Sequence, residues 1–251
     1  SKDYDTRMIS VCMATYNGQK YIKEQIDSIL PQLSENDELV ISDDQSTDGT
    51  TEIIASYKDP RIRFFVNNKT HGVAHNFENA LAHAKGDIIF LSDQDDVWVE
   101  GKVEKMTSYM KQNHYDVVMC NCMLVDENMK PLTGKPHFNK VRPIKKPVFL
   151  NILKNSWLGC CMVFSKKLLT ECLPFPPNVA AHDLWIALYA QLHFRCGYMP
   201  KEVLHLYRRH SETASFAGKR STNKWSYRIS YRLYLAYHLI ARTFNRNKHK
   251  S

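Results

Sequence analysis

Phe90-Leu91-Ser92-Asp93-Gln94-Asp95-Asp96-Val97-Trp98 carries an apolar strand straight into three acids within four residues. Carboxylates this close repel one another and, in a partly buried site, hold their protons unless a cation neutralises them. Hard oxygen ligands at a strand end suit Mg²⁺ or Mn²⁺, which takes one or two carboxylates and completes its shell with water and phosphate oxygens. The stretch points to a divalent cation gripping a diphosphate. Acids that merely solubilise the turn after a strand are the plain alternative.

Upstream, strands and helices alternate. Residues 8–14 form a short β-branched run ended by the polar turn Thr15-Tyr16-Asn17-Gly18, and residues 21–33 place Ile22, Ile26, Ile29, Leu30 and Leu33 at helical spacing. A second strand, 38–42, also ends in acids, Asp43 and Asp44, before a helix that Ser46 or Thr47 is expected to cap. Strand 62–66, helix 72–84 and strand 87–91 complete the series. This βαβ spacing predicts an α/β fold with a Rossmann-like, mostly parallel central sheet flanked by helices. Ligands of such sheets bind beyond the strands' carboxyl ends, where three polar clusters collect. The chain has neither Gly-x-Gly-x-x-Gly nor a Walker A loop, so a dinucleotide cofactor or a glycine-built phosphate cradle is disfavoured.

Downstream, the pattern predicts a helix over 101–110, a strand over 116–125 and a proline-rich excursion over 131–147. Helices over 148–154 and 165–173 bracket a buried strand over 157–164, and a further strand covers 203–206. The seven cysteines sit mostly in apolar runs, without a CxxC pair, and read as small buried hydrophobes in a reducing compartment. With no signal-like apolar core at the start and no membrane-length run, a cytoplasmic location is expected.

The segments Ala14-Thr15-Tyr16-Asn17-Gly18, Ser42-Asp43-Asp44-Gln45-Ser46-Thr47-Asp48-Gly49-Thr50, Ser92 to Trp98, Trp157-Leu158-Gly159-Cys160, His182-Asp183-Leu184-Trp185 and Tyr207-Arg208-Arg209-His210 occur in one order over roughly residues 8 to 212. At these residues the chain resembles the family 2 glycosyltransferases of GT-A fold, and the Asp-Gln-Asp-Asp-Val-Trp form resembles the rhamnosyltransferase-like branch that assembles bacterial surface polysaccharides. The resemblance implies a single catalytic domain over 1–215, its nucleotide-sugar-binding half about 1–110 and its acceptor-binding half about 111–215. It implies inverting, metal-dependent transfer from a UDP- or dTDP-sugar to a saccharide or polyprenyl-diphosphate-linked acceptor. Asp95 and His210 would bind the Mn²⁺ or Mg²⁺. Thr15, Tyr16, Asn17, Asp43, Asp44, Asp93 and Arg208 would hold the nucleotide sugar, with Asp44 on a pyrimidine N–H, Tyr16 against the base and Arg208 on phosphate. Asp183 would be the general base, and Trp157, Gly159, His182 and Trp185 would face the acceptor. Plainer readings accompany several of these: Asn17 as a turn residue, Asp183 as a helix cap, Arg208 and His210 as a solvated basic turn.

The tail, 216–251, is read separately. After Glu212 there are nine Lys and Arg and no acid, interleaved with Trp225, Tyr227, Tyr231, Leu233, Leu235, Tyr237, Leu239, Ile240 and Phe244. This is the composition of a helix resting on an anionic membrane surface, at the inner face of the cell membrane. A helix packed on the catalytic domain with its arginines outward is an equal alternative, and apolar residues on several sides also allow contact with a second protomer. A sugar-nucleotide nucleotidyltransferase is the enzymatic runner-up, but it calls for a glycine-rich basic loop after the first strand. A nucleic-acid-binding module would use the basic tail and leaves the acidic rim unexplained, so no nucleic acid is expected.

Overall fold

The computed structural model describes residues 7–139, 145–210 and 225–248. Pro143 of the proline-rich excursion and the tail residues Lys219, Arg220, Lys224 and Lys250 lie outside the described residues. One eight-stranded sheet organises the rest: β1 (Ile9–Thr15), β2 (Glu38–Asp43), β3 (Ile62–Val66), β4 (Ile88–Ser92), β5 (Val97–Trp98), β6 (Val117–Val125), β7 (Met162–Ser165) and β8 (Cys196–Arg208), in the order β3-β2-β1-β4-β7-β6-β8-β5. β1 to β4 are mutually parallel, β7 runs antiparallel to β4 and β6, and β8 is parallel to β6. The central strands are apolar on both faces because helices cover both sides.

Register sets the rim. Thr15 pairs with Asp43 and Met13 with Ser92, so the polar clusters after β1, β2 and β4 emerge side by side. α1 (Ile22–Ile29) buries Ile22, Gln25, Ile26 and Ile29 at helical spacing. Its expected run to residue 33 is broken at Pro31, where a 3₁₀ turn, Leu30–Gln32, takes over. α2 (Thr50–Ser56) is not capped by Ser46 or Thr47; Gly49 is its cap residue, and the Asp48 carboxylate accepts the Thr50 N–H at 3.0 Å. α3 (Val73–His83) and α4 (Lys102–Asn113) follow as expected.

One strand was not anticipated, and past α4 two expectations are corrected. β5 carries no length signal, and it forms because Val97 and Trp98 pair antiparallel with Leu206 and His205. The strand expected over 157–164 begins at Met162, since Gly159–Cys161 turns as a 3₁₀ helix. β8 is far longer than 203–206, and its register against β6 slips around Asn121. There Pro200 has no N–H to give, and the Asn121 amide donates to the Pro200 carbonyl at 2.8 Å and the Phe138 carbonyl at 3.0 Å, pinning the proline-rich excursion to the sheet.

α5 (Val148–Leu153), α6 (Lys166–Cys172) and α7 (His182–His193) pack beyond the sheet. α7 is buried nearly all round because α8 (Trp225–Lys248) lies across it. Leu235 and Leu239 enter the core, and the Tyr231 and Tyr234 hydroxyls accept the Ala180 and Asn178 N–H groups, each at 2.9 Å. Two of the α8 arginines, Arg242 and Arg246, do not point outward as the packed alternative supposed, while Arg228 is exposed. Arg242 donates to the carbonyls of Glu171, Leu173 and Pro174, and Arg246 pairs with Glu171 at 2.6 Å, so both satisfy the end of α6. A second apolar stripe, Leu233, Tyr237, Ile240 and Phe244, stays exposed on the opposite face. Among the described residues no helix is long and apolar enough to cross a membrane.

Candidate active site

The turn after β1 is held from two sides. Asn17 has φ 44°, and its side-chain oxygen accepts the Thr47 N–H at 2.8 Å, so it works as the turn residue of the plainer reading. Gln94 accepts the Tyr16 N–H at 2.9 Å and donates to the Tyr16 carbonyl at 2.8 Å. A Cβ on Gly18 would stand 2.2 Å from the Gln94 side-chain oxygen, which is why glycine ends this turn. Tyr16 itself is 57% exposed, its ring offered to the cleft.

Thr15 and Asp43 face each other across β1 and β2. Both are buried, the Thr15 hydroxyl donates to Asp43 at 2.6 Å, and Ser46 gives the same carboxylate its hydroxyl at 2.6 Å and its N–H at 2.8 Å. These bonds tie the turns after β1 and β2 together. Asp44 is buried, with one oxygen held by Asn67 at 2.9 Å and His71 at 3.1 Å and the other accepting the Gly72 N–H at 2.9 Å.

The acids after β4 converge with Asp183 in the first turn of α7. Burial, then the charges of Asp95 and Asp183, push the Asp93 carboxyl up to about 8. Gln25 anchors the Asp93 carbonyl at 2.8 Å. Asp95 and His210 meet with Oδ2 and Nε2 2.7 Å apart, and the His210 ring leans on Tyr21 at 5.0 Å. Arg208 does not reach into the cleft as a phosphate contact: it is buried, and its guanidinium donates to the Asp95 carbonyl and the Glu127 carbonyl, each at 2.7 Å, and pairs with Glu24. With its cation 4.3 Å over the Tyr21 ring, it braces the acidic loop from below.

Asp183 is not the cap of α7; Ala181 is the cap residue, and Asp183 stands in the first turn. Its Oδ2 accepts the Gly159 N–H at 3.0 Å and its Oδ1 the Leu184 N–H at 2.8 Å. A Cβ on Gly159 would lie 3.0 Å from Asp183 Cβ, so glycine permits this approach. His182 is stacked on Phe77 at 4.0 Å, and burial lowers its pKa, keeping it neutral. Trp185 is fully buried and donates to the Cys172 carbonyl, and Trp157 is buried against Tyr198 at 5.3 Å. Both tryptophans are buried core residues.

Behind the rim, Asp96, Cys160 and His205 offer ligand atoms within 4.8 Å of one another. The Lys102 ammonium already occupies that neighbourhood, 3.0 Å from His205 Nδ1. Burial and Lys102 hold the His205 imidazole down to about 3, hence neutral. Sequence reasoning missed Gln94, Gln25, Asn67, His71, Lys102 and His205. Gln94 left a trace, being a neutral amide wedged among three carboxylates, while the others have partners too far along the chain to leave a local signal.

Residues 10–173 match the family model of glycosyl transferase family 2, and the chain belongs to that family. It is 30% identical over 185 residues, 73% of this chain and 70% of the relative, to the UDP-Glc:alpha-D-GlcNAc-diphosphoundecaprenol beta-1,3-glucosyltransferase WfgD of Escherichia coli. The fold matches TarS of S. aureus, solved with UDP-GlcNAc, with TM-score 0.67 at 20% identity, covering 86% of this chain and 62% of that one. It also matches glucosyl-3-phosphoglycerate synthase of Mycobacterium tuberculosis, solved with Mn²⁺, UDP and phosphoglyceric acid, with TM-score 0.56 at 22% identity, covering 82% of this chain and 72% of that one. The chain thus spans less than two thirds of the TarS fragment, and the shared architecture is the GT-A fold.

Proposed function

We propose that this protein is an inverting, metal-dependent glycosyltransferase that moves a sugar, with rhamnose among the candidates, from a UDP- or dTDP-sugar to a saccharide or polyprenyl-diphosphate-linked acceptor during surface-polysaccharide assembly. The observation that carries it is the convergence of Asp93, Asp95 and Asp183, with His210 bonded to Asp95. Residues 1–215 would be the catalytic domain, with donor half about 1–110 and acceptor half about 111–215.

Mn²⁺ or Mg²⁺ fits this donor set. The carboxylates are hard oxygen ligands, the imidazole is a suitable companion, and a cation would offset the burial and neighbouring acids that raise the Asp93 carboxyl. Asp95 and His210 would hold the ion, with Asp93 on its waters or the donor ribose. Once bound, such an ion stabilises the charge of a departing nucleoside diphosphate. Tyr16 would lie against the base and Asp44 would accept its ring N–H. Asp183, oriented by the Gly159 and Leu184 N–H groups, would take the proton of the acceptor hydroxyl as that oxygen attacks the anomeric carbon from the face opposite the diphosphate.

A lipid-linked acceptor would bring the protein to the inner face of the membrane. The exposed Leu233, Tyr237, Ile240 and Phe244 stripe on an acid-free helix supports peripheral contact there, and so does the diphosphoundecaprenol acceptor in the name of the E. coli relative. Flotation with anionic vesicles should fail after replacing all four by serine. Unchanged flotation removes the contact, and a mass change from dimer to monomer assigns the stripe to a second copy.

The decisive assay is a panel of UDP-, dTDP- and GDP-sugars scored by thermal shift and donor hydrolysis with Mn²⁺ or Mg²⁺. Stabilisation and turnover with a pyrimidine donor are expected, and a response to GDP-sugars alone overturns the base assignment.

A further inference from the structure

Lys102, His205 and Asp96 lie behind the rim with 0%, 0% and 1% exposure. A lysine without solvent needs a reason, because an ammonium is costly to bury and a methionine would pack in its place. Lys102 opens α4 directly after Gly101, which sits at φ 79°. Its Nζ donates to the Cys160 carbonyl at 2.6 Å and to His205 Nδ1 at 3.0 Å, 4.2 Å over the Trp98 ring. With Nδ1 accepting, the His205 proton is on Nε2, which donates to Asp96 Oδ2 at 2.7 Å. Asp96 Oδ1 accepts the Arg208 N–H at 2.9 Å, and Arg208 Nε donates to the Asp95 carbonyl at 2.7 Å.

One ammonium therefore touches two arms. Through the Cys160 carbonyl it fixes the Gly159–Cys161 turn, whose Gly159 N–H holds Asp183. Through His205 and Asp96 it fixes the loop that carries Asp95. We propose that Lys102, His205 and Asp96 form a positioning relay that sets the separation between Asp95, on the donor side, and Asp183, on the acceptor side. This rests on the glycosyltransferase reading for its consequence in turnover, but the mechanical coupling stands on the hydrogen bonds alone. Relays behind ion-binding side chains act by orienting them, and their loss costs about 10- to 100-fold in affinity or activity.

The test uses Lys102→Met, which keeps length and packing, His205→Gln, which cuts the loop arm alone, and Met110→Ala, a buried position on the same helix two turns away. Amide hydrogen exchange is followed with no ligand added. In Lys102→Met, exchange at residues 159–161 and at 95–97 should rise together. In His205→Gln it should rise at 95–97 only, and in Met110→Ala at neither. A rise in one arm only for Lys102→Met, or an equal rise at both in Met110→Ala, overturns the relay; should Lys102→Met not fold, His205→Gln decides by whether 159–161 stays protected while 95–97 opens. With a donor sugar, the Lys102→Met kcat should fall about 10- to 100-fold while donor KM moves less than about threefold. Unchanged kcat with opened arms rejects the catalytic consequence, whereas a wild-type chain that turns over no nucleotide sugar rejects the donor reading and leaves the exchange result standing.

Discussion

His210 Nε2 lies 2.7 Å from Asp95 Oδ2, joining the segment just after β8 to the loop that follows β4. An imidazole and a carboxylate so placed offer a cation two ligands that stand 115 residues apart in the chain. His210→Ala should weaken Mn²⁺-dependent UDP binding by about 10- to 100-fold, read by titration calorimetry with and without the metal.

Asp183 has both oxygens oriented by backbone N–H groups and no other role in holding the donor side. Asp183→Asn keeps the shape and one of the two backbone N–H contacts but cannot take a proton. Turnover should fall about 10²- to 10⁴-fold while UDP affinity stays near wild type; equal turnover would remove Asp183 as the base.

The raised Asp93 carboxyl has a stability consequence of definite sign. Folded, the group titrates at about 8, against 3.8 in the unfolded chain, so between those values the folded state binds more protons. Stability of the metal-free protein should fall as pH rises through this window. Melting curves in chelator should therefore drop from about pH 5 to about pH 8, and Mn²⁺ should restore more at the upper end.

Gly159→Ala places a methyl 3.0 Å from Asp183 Cβ, closer than that contact tolerates. The first turn of α7 must shift, displacing the carboxylate. A kcat loss of about 10- to 100-fold with little change in donor KM is expected from steady-state kinetics.

The two faces of α8 should respond differently. Leu239→Ala opens a cavity in the core and should cost about 2 to 5 kcal/mol in urea unfolding. Phe244→Ser, on the exposed stripe, should stay within about 0.5 kcal/mol in the absence of membrane.

Strands β1 to β4 and the acidic rim were legible because their signals are local. Each is a short apolar run, and each polar cluster directly follows one. β5 was not, since two residues such as Val97 and Trp98 have no periodicity and become a strand by pairing with Leu206 and His205. The packing of Arg208, Thr15 and Asp43 was not legible for a related reason: a charged or polar residue beside a motif gives no sign of which way it turns.

Residue order alone determined the α/β class, the family and the carboxylates available for chemistry, because hydrophobic runs and the acids ending them act over a few neighbours. Folding decided which of those groups face the cleft. Arg208 meets Glu24 across 184 residues and Lys102 meets His205 across 103, and contacts at that separation are set by strand order and register, which no window of the chain contains.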